Sequence, residues 1–154
     1  MAEPAPAAAV TGAAETRRAL AWVKDDPFGV EFAEISIGDD RLAAAGIAVG
    51  TAPLPYRLDY ELATERDFVT AWLRVTSRGE GWCRELDLRR DETGVWSVTA
   101  GGEGAVDLPS AGGDTAPFTE ALDCDLGLSP VTNMMPILRH GLVQSGGPIE
   151  FTMA

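Results

Sequence analysis

Histidine is almost absent from this sequence, and basic residues are scarce. His140 is the only imidazole, so any histidine-based catalytic or metal site would have to be built around it. Lysine and arginine number 12 against 24 acidic residues, which gives a formal net charge of -12 at pH 7. Because phosphate groups are bound by clustered cations, this balance argues against nucleic acids and anionic membrane surfaces as partners.

Cysteine pairs, enzyme motifs and long apolar runs are also missing. Cys83 and Cys124 lie far apart, so we expect two buried reduced thiols, with a disulfide or a reactive thiol as the alternatives. No GxSxG, HExxH, phosphate-binding loop or dinucleotide fingerprint occurs, and no spacing suggests zinc. No run approaches the roughly 18 apolar residues of a membrane-spanning helix. We therefore predict no catalytic residues, no metal, no cofactor and no stable membrane insertion.

The first residues, "MAEPAPAAAVTGAAETRR", are rich in alanine and proline. A secretion signal would carry basic residues near its start. This stretch has Glu3 there instead, and its arginines follow the alanines. We therefore predict a disordered leader over residues 1–17 and a cytoplasmic protein. The remaining length suits one domain, over residues 18–154.

Most of that domain consists of segments in which apolar and polar residues alternate. Four apolar side chains of "PYRLDYEL" share one face of a strand: Tyr56, Leu58, Tyr60 and Leu62. In "VEFAEISI" the alternation places Glu31 on the same face as Ala33 and Ile35. "DETG" (91–94) between two such segments predicts a hairpin turn. About eight short strands and no secure helix of ten or more residues predict an all-β, mainly antiparallel sheet, curved or closed.

"LDCDLGLSPVTNMMPILRHGL" (122–142) is the most unusual stretch. We expect a strand over residues 122–126, on which Asp123 and Asp125 would share one face about 7 Å apart. They could be solvent-facing carboxylates or caps, could contact a polar ligand, or could flank a metal with His140. The Ser-Pro and Thr-Asn pairs predict a stiff corner. We expect Pro136 to prevent early helix formation, and "PILRHGLV" to form a strand.

The aromatic residues admit two interpretations. Core packing is the first expectation for each tryptophan. Alternatively, a concave face that carried four of the aromatic side chains would form an apolar trough for an acyl chain, or a stacking platform for a sugar. Those four side chains are Tyr56, Tyr60, Trp72 and Trp96.

"LDCDLGLSPVTNMMPILR", preceded in order by "YRLDYEL", "AWLRV", "RELDL" and "GVWSV", resembles the bacterial putative glycolipid-binding family from about Trp22 to Ala154. The resemblance implies a strongly twisted β-roll or half-barrel with little helix, similar to periplasmic carriers that hold lipid in an apolar concavity. The chain has Leu138 and Arg139 where the family usually has two arginines, and His140 where an apolar residue is usual. Because the family continues further, we expect this domain to lack its C-terminal strands.

These observations predict a non-enzymatic protein that binds an apolar or glycolipid-type ligand in a curved β-sheet. The first alternative is an interaction module that dimerises through an exposed C-terminal edge strand, Ile149–Met153. The second is an enzyme that uses Asp123 and Asp125, with His140 or Cys124. The predicted ligand-binding residues are Asp123, Asp125, Ser129, Thr132, Asn133, Arg139, Tyr56, Tyr60, Trp72 and Trp96.

Overall fold

The computed structural model describes residues 15–144, 150 and 152–154. Its seven strands form one open antiparallel sheet in which each strand pairs with the next along the chain. This confirms the predicted all-β, curved antiparallel fold, with seven strands where about eight were expected. The strands are β1 (Thr16–Asp25), β2 (Phe28–Ile37), β3 (Leu42–Gly50), β4 (Tyr56–Thr64), β5 (Thr70–Gly79), β6 (Trp82–Arg90) and β7 (Trp96–Gly104).

The inner face of the sheet carries the predicted apolar alternation. Residues directly opposite one another on neighbouring strands point to the same face. The register therefore builds one continuous apolar row across six strands. That row is Ile35, Ala44, Leu62, Leu73, Leu88 and Val98. Its members are buried or half-buried, so this face forms the floor of the hydrophobic core.

The chain after β7 folds back over part of the inner face. Cys124 and Val131 are fully buried there and belong to the same apolar cluster as the strand residues. The Thr70 N–H donates to the Leu122 carbonyl at 2.9 Å, and the Cys124 N–H donates to Thr70 Oγ1 at 3.0 Å. These bonds attach the returning segment to the start of β5, so it covers one end of the sheet and closes the core.

Two expectations for the C-terminal segment were wrong. Residues 136–139, predicted as the beginning of the strand "PILRHGLV", belong instead to the one α-helix described, α1 (Met134–Arg139). Pro136 is its third residue, where an N–H has no intrahelical partner in any case, so proline is tolerated. Of the predicted strand over residues 122–126, only Asp123 pairs, in an isolated parallel bridge with Met153.

The predicted leader falls mostly outside the described residues, but β1 already begins at Thr16, so residues 16 and 17 belong to the sheet.

The "DETG" hairpin is confirmed. Asp91 Oδ1 accepts hydrogen bonds from the Thr93 N–H, the Thr93 hydroxyl and the Val95 N–H at 2.7–2.9 Å, and Gly94 adopts φ +88°. These donors, Thr93 foremost, lower the pKa of Asp91. In the described part of the chain, no helix has the length and hydrophobicity to cross a membrane.

Candidate functional site

A buried ion pair fixes the C-terminal corner to the sheet. Arg139 donates from Nη1 and Nη2 to the two carboxylate oxygens of Asp123 at 2.8 and 2.5 Å. The same guanidinium donates to the carbonyls of Asp67 and Phe68, each at 2.8 Å. Asp123 is 1% exposed. Because both oxygens of the carboxylate are occupied by one arginine, Asp123 works here as a structural anchor of the corner.

A second buried acid lies on β2. Glu31 is 2% exposed, and its Oε1 accepts hydrogen bonds from the Tyr60 and Ser129 hydroxyls, both at 2.7 Å. Its Oε2 has no hydrogen-bond partner among the described residues. Burial, and then the hydrogen bond to Glu31, raises the pKa of Tyr60 far above its ordinary value of 10.0. The Val131 N–H in turn donates to Ser129 Oγ at 3.2 Å. The cluster therefore joins the corner, through Ser129, to Glu31 on the sheet.

The rest of the corner uses its polar side chains locally, as the sequence predicts for residue types of this kind. Thr132 is fully buried; its Oγ1 accepts from the Leu126 N–H at 3.3 Å and donates to Asp125 Oδ1 at 3.2 Å. Asn133 is exposed and precedes α1 without a side-chain cap. Asp125 is also exposed, so the two aspartates do not share one environment.

The four aromatic residues of the expected trough do not meet on one face. Trp72 lies on the outer face, where Arg74 stacks 5.0 Å from its ring centroid. Trp96 is buried in the core, and its indole N–H donates to a main-chain carbonyl at 3.1 Å. Tyr60 is held by Glu31 as described above. Tyr56 is half-buried, and strand alternation places it on the same inner face of β4 as Tyr60.

An apolar cleft of about 420 Å³ instead lies over the inner face of β5, β6 and β7. Its floor is formed by alternating aliphatic residues, and one wall is the loop that follows β7. Asp125 and Leu126 of the corner also line the cleft, together with Ala154. The lining residues are Leu73, Val75, Ser77, Arg84, Glu85, Leu86, Leu88, Val98, Ala111, Gly112, Gly113, Asp114, Thr115, Phe118, Asp125, Leu126 and Ala154.

Of the ten predicted ligand-binding residues, only Asp125 lines this cleft. Sequence reasoning missed the aliphatic floor and the loop residues Asp114 and Phe118. The alternation in "RELDL" and "GVWSV" was a usable signal for the floor, because it places Leu86 and Val98 on one face. The loop carried no comparable signal, since its position depends on contacts with distant strands.

The geometry does not assemble an active site from the expected residues. Asp123 is committed to Arg139, Asp125 faces solvent, and His140 is exposed at the end of α1. Both cysteines are free, and burial raises the pKa of Cys124 to about 12, which makes it a poor nucleophile. Within the described ranges, no three histidine, cysteine or acidic side chains are grouped to hold a metal.

The C-terminal edge-strand alternative lies largely outside the described residues, because Ile149 and Phe151 are not described. Met153 and Ala154 pair within the chain. The Ala154 N–H donates to the Asp123 carbonyl at 2.8 Å, and the Asp125 N–H donates to the Ala154 carbonyl at 2.7 Å.

The architecture is therefore all-β, an open antiparallel sheet with an apolar cleft of about 420 Å³ on its inner face. A family model described as "Putative glycolipid-binding" matches residues 19–153, and the chain belongs to that family. This confirms the resemblance found in the sequence. No curated protein and no solved structure matches the chain.

Proposed function

We propose that this protein is a non-enzymatic binding protein that holds the apolar part of a glycolipid in the cleft over β5–β7. The observation that carries the proposal is the cleft itself, an aliphatic floor beneath a space of about 420 Å³. Small-molecule sites usually have volumes of about 300–1,000 Å³ and are mostly apolar with a few polar groups. The description of the family supports the same class of ligand.

The floor supplies the binding energy in this proposal. Val75 and Leu86 stand side by side on β5 and β6, and Val98 lies on β7; all three are half-buried and line the cleft above the buried core. Each methylene of an acyl chain that leaves water on this surface contributes about 0.8 kcal/mol. Phe118, from the loop after β7, packs against the core cluster and also lines the cleft. A chain of several carbons is therefore retained without any charged contact.

The polar head would lie at the rim of the cleft. Asp125 stands there, and its Oδ1 is fixed by the hydroxyl of Thr132. We propose Asp125 as a ligand contact, whereas Ser129, Thr132 and Arg139 hold the corner that positions it. Ligand contact by the other predicted residues stays a prediction. The cytoplasmic location and the homodimer also stay predictions.

The test is native mass spectrometry of the protein as purified from cells, followed by organic extraction of bound material. Val98→Asp places a charge on the cleft floor, and Ser97→Asp places the same charge on the opposite face of the same strand. We expect a co-purifying glycolipid on the unmodified protein and on Ser97→Asp, and at least a tenfold lower occupancy on Val98→Asp. Circular dichroism and thermal melting establish that both variants are folded.

Three results would contradict the proposal. The first is an unliganded mass for the unmodified protein that persists after incubation with extracted cellular lipids. The second is equal occupancy in the folded Val98→Asp and Ser97→Asp variants, which would show that any lipid binds elsewhere. The third is turnover of the bound lipid during incubation, which would replace binding by an enzymatic role.

A further inference from the structure

We propose that the cleft selects amphiphiles whose head group is uncharged and rich in hydroxyls, and that it excludes anionic amphiphiles such as phospholipids. This inference rests on the proposed function and names the head-group class for the same cleft. It depends on the charged groups around the cleft and on the partners that each of them already has.

The cation at the cleft is already occupied. Among the described lining residues, Arg84 is the one with a positive charge. It donates from Nη1 to the Pro109 carbonyl at 2.5 Å and from Nη2 to the Leu108 carbonyl at 3.2 Å. These bonds attach the loop after β7 to the sheet. A phosphate or carboxylate head group that recruited Arg84 would have to break both of them and release one wall of the cleft.

The carboxylates at the cleft have the opposite arrangement. Asp114 stands on the loop and Asp125 on the corner, and both line the cleft. Each uses its Oδ1 internally: Asp114 accepts from the Ala116 N–H at 3.0 Å, and Asp125 accepts from Thr132 Oγ1 at 3.2 Å. Each Oδ2 has no partner in the described part of the chain. Glu85 also lines the cleft, but the strand alternation directs its side chain to the outer face.

Two lining carboxylates that each keep one oxygen without a partner among the described residues suit hydroxyl donors. A sugar ring offers several hydroxyls, and hydrogen bonds to a carboxylate are stronger than those between neutral groups. An anionic head group would be repelled by the same carboxylates, because the charges have the same sign. The net charge of -12 on the whole protein adds to that repulsion. Like charges about 4 Å apart in water repel with an energy equivalent to about a fivefold loss of affinity per pair. Two carboxylates therefore predict at least a tenfold discrimination.

The experiment compares three amphiphiles that share a ten-carbon tail: decyl maltoside, decyl phosphate and decyltrimethylammonium. Each is titrated into the full-length protein below its critical micelle concentration, with isothermal titration calorimetry as the readout. Maltoside offers hydroxyl donors without charge, whereas trimethylammonium offers positive charge without a donor. We expect maltoside to bind tightest, trimethylammonium to be weaker, and phosphate to bind at least tenfold more weakly than maltoside.

A charge-matched pair of variants then assigns the effect to the cleft. The double variant Asp114→Asn, Asp125→Asn removes both cleft carboxylates. The control Glu34→Gln, Glu61→Gln removes two exposed carboxylates on the outer face and changes the net charge by the same amount. We expect the cleft variant to weaken maltoside binding and strengthen phosphate binding, each severalfold, and the control to leave the ratio of the two affinities unchanged.

The outcomes separate the two proposals. If decyl phosphate binds the unmodified protein as tightly as maltoside, the inference is overturned while the proposed function stands. If trimethylammonium binds tightest, charge and not hydroxyl recognition selects the ligand, and the inference is again overturned. If none of the three amphiphiles binds, the proposed function fails together with the inference.

Discussion

Truncation of Arg139 tests whether the buried ion pair anchors the C-terminal corner. The Arg139→Ala variant loses both hydrogen bonds to Asp123 and the two hydrogen bonds to the carbonyls of Asp67 and Phe68. The carboxylate of Asp123 would then stay buried without a partner, since its side chain is only 2% exposed. The free energy lost on removing one partner exceeds the net stabilisation by the intact pair. The reason is that the desolvation of the remaining buried charge is no longer offset.

The expected magnitude is large relative to the whole stability. Removal of one partner from a buried pair costs about 3–5 kcal/mol, against a typical free energy of unfolding of about 5–15 kcal/mol. For a chain of this size, about 2–4 °C of melting temperature corresponds to each kcal/mol. We therefore expect Arg139→Ala to melt roughly 6–20 °C lower, as measured by urea denaturation and thermal circular dichroism.

A matched control exists on the exposed face of β4. Arg57 also makes a bidentate contact with an aspartate, donating to the two oxygens of Asp59 at 3.0 and 2.6 Å, but its side chain is 54% exposed. Exposed pairs contribute about 0.2–1 kcal/mol, so Arg57→Ala should lower the stability only slightly. Adding Asp123→Asn to Arg139→Ala should recover part of the loss, because no buried charge then remains. Equal losses in Arg139→Ala and Arg57→Ala would refute the argument from burial.

Three further predictions concern the core. Burial raises the pKa of Cys124 from 9.0 to about 12 and also raises the pKa of Tyr60. The stability that these two protonated groups contribute is therefore complete below about pH 9 and declines as the pH rises above it. In urea unfolding measured against pH, Tyr60→Phe should show a shallower decline of stability at alkaline pH. In the Cys83→Ser variant, Cys124 should react with a thiol reagent at pH 8 only as fast as the protein opens; labelling at the rate of a free thiol would contradict its burial. Gly46→Ala should cost about 1–3 kcal/mol, because a Cβ there would lie 2.5 Å from Tyr60 Cζ, whereas Gly101→Ala, with no atom within 4 Å, serves as the neutral control.

The strands could be predicted from the sequence because alternation and burial agree. The expectation that Glu31, Ala33 and Ile35 share one face is confirmed, and all three are buried. Sequence could not show why a glutamate is tolerated there, since one of its two donors, Ser129, lies 98 residues away. α1 was missed because six residues are too few to show helical periodicity, and a short apolar segment fits a strand equally well.

The cleft could be predicted even less, because it is defined by what the returning segment leaves uncovered. Alternation opposes Trp72 to Leu73, but it does not say which face the rest of the chain will cover. The segment packs on the face of Leu73, so Trp72 lies outside with Arg74. The position of Asp125 at the rim likewise follows from its pairing with Ala154, a contact between segments that no local pattern specifies.

The division of the inner face into two parts is the strongest structural argument for a binding role. An apolar sheet face is normally covered by another layer of structure, and the segment around Val131 provides that layer over one part of the face. Over β5–β7 the aliphatic rows continue through Leu86 and Val98, yet a cleft remains above them. Burial of apolar surface contributes about 25 cal/mol of stabilising free energy per Å², and surface left open to water lacks this contribution. Soluble proteins that retain such a concavity commonly use it for binding, and the loop held by Arg84 keeps its wall in place.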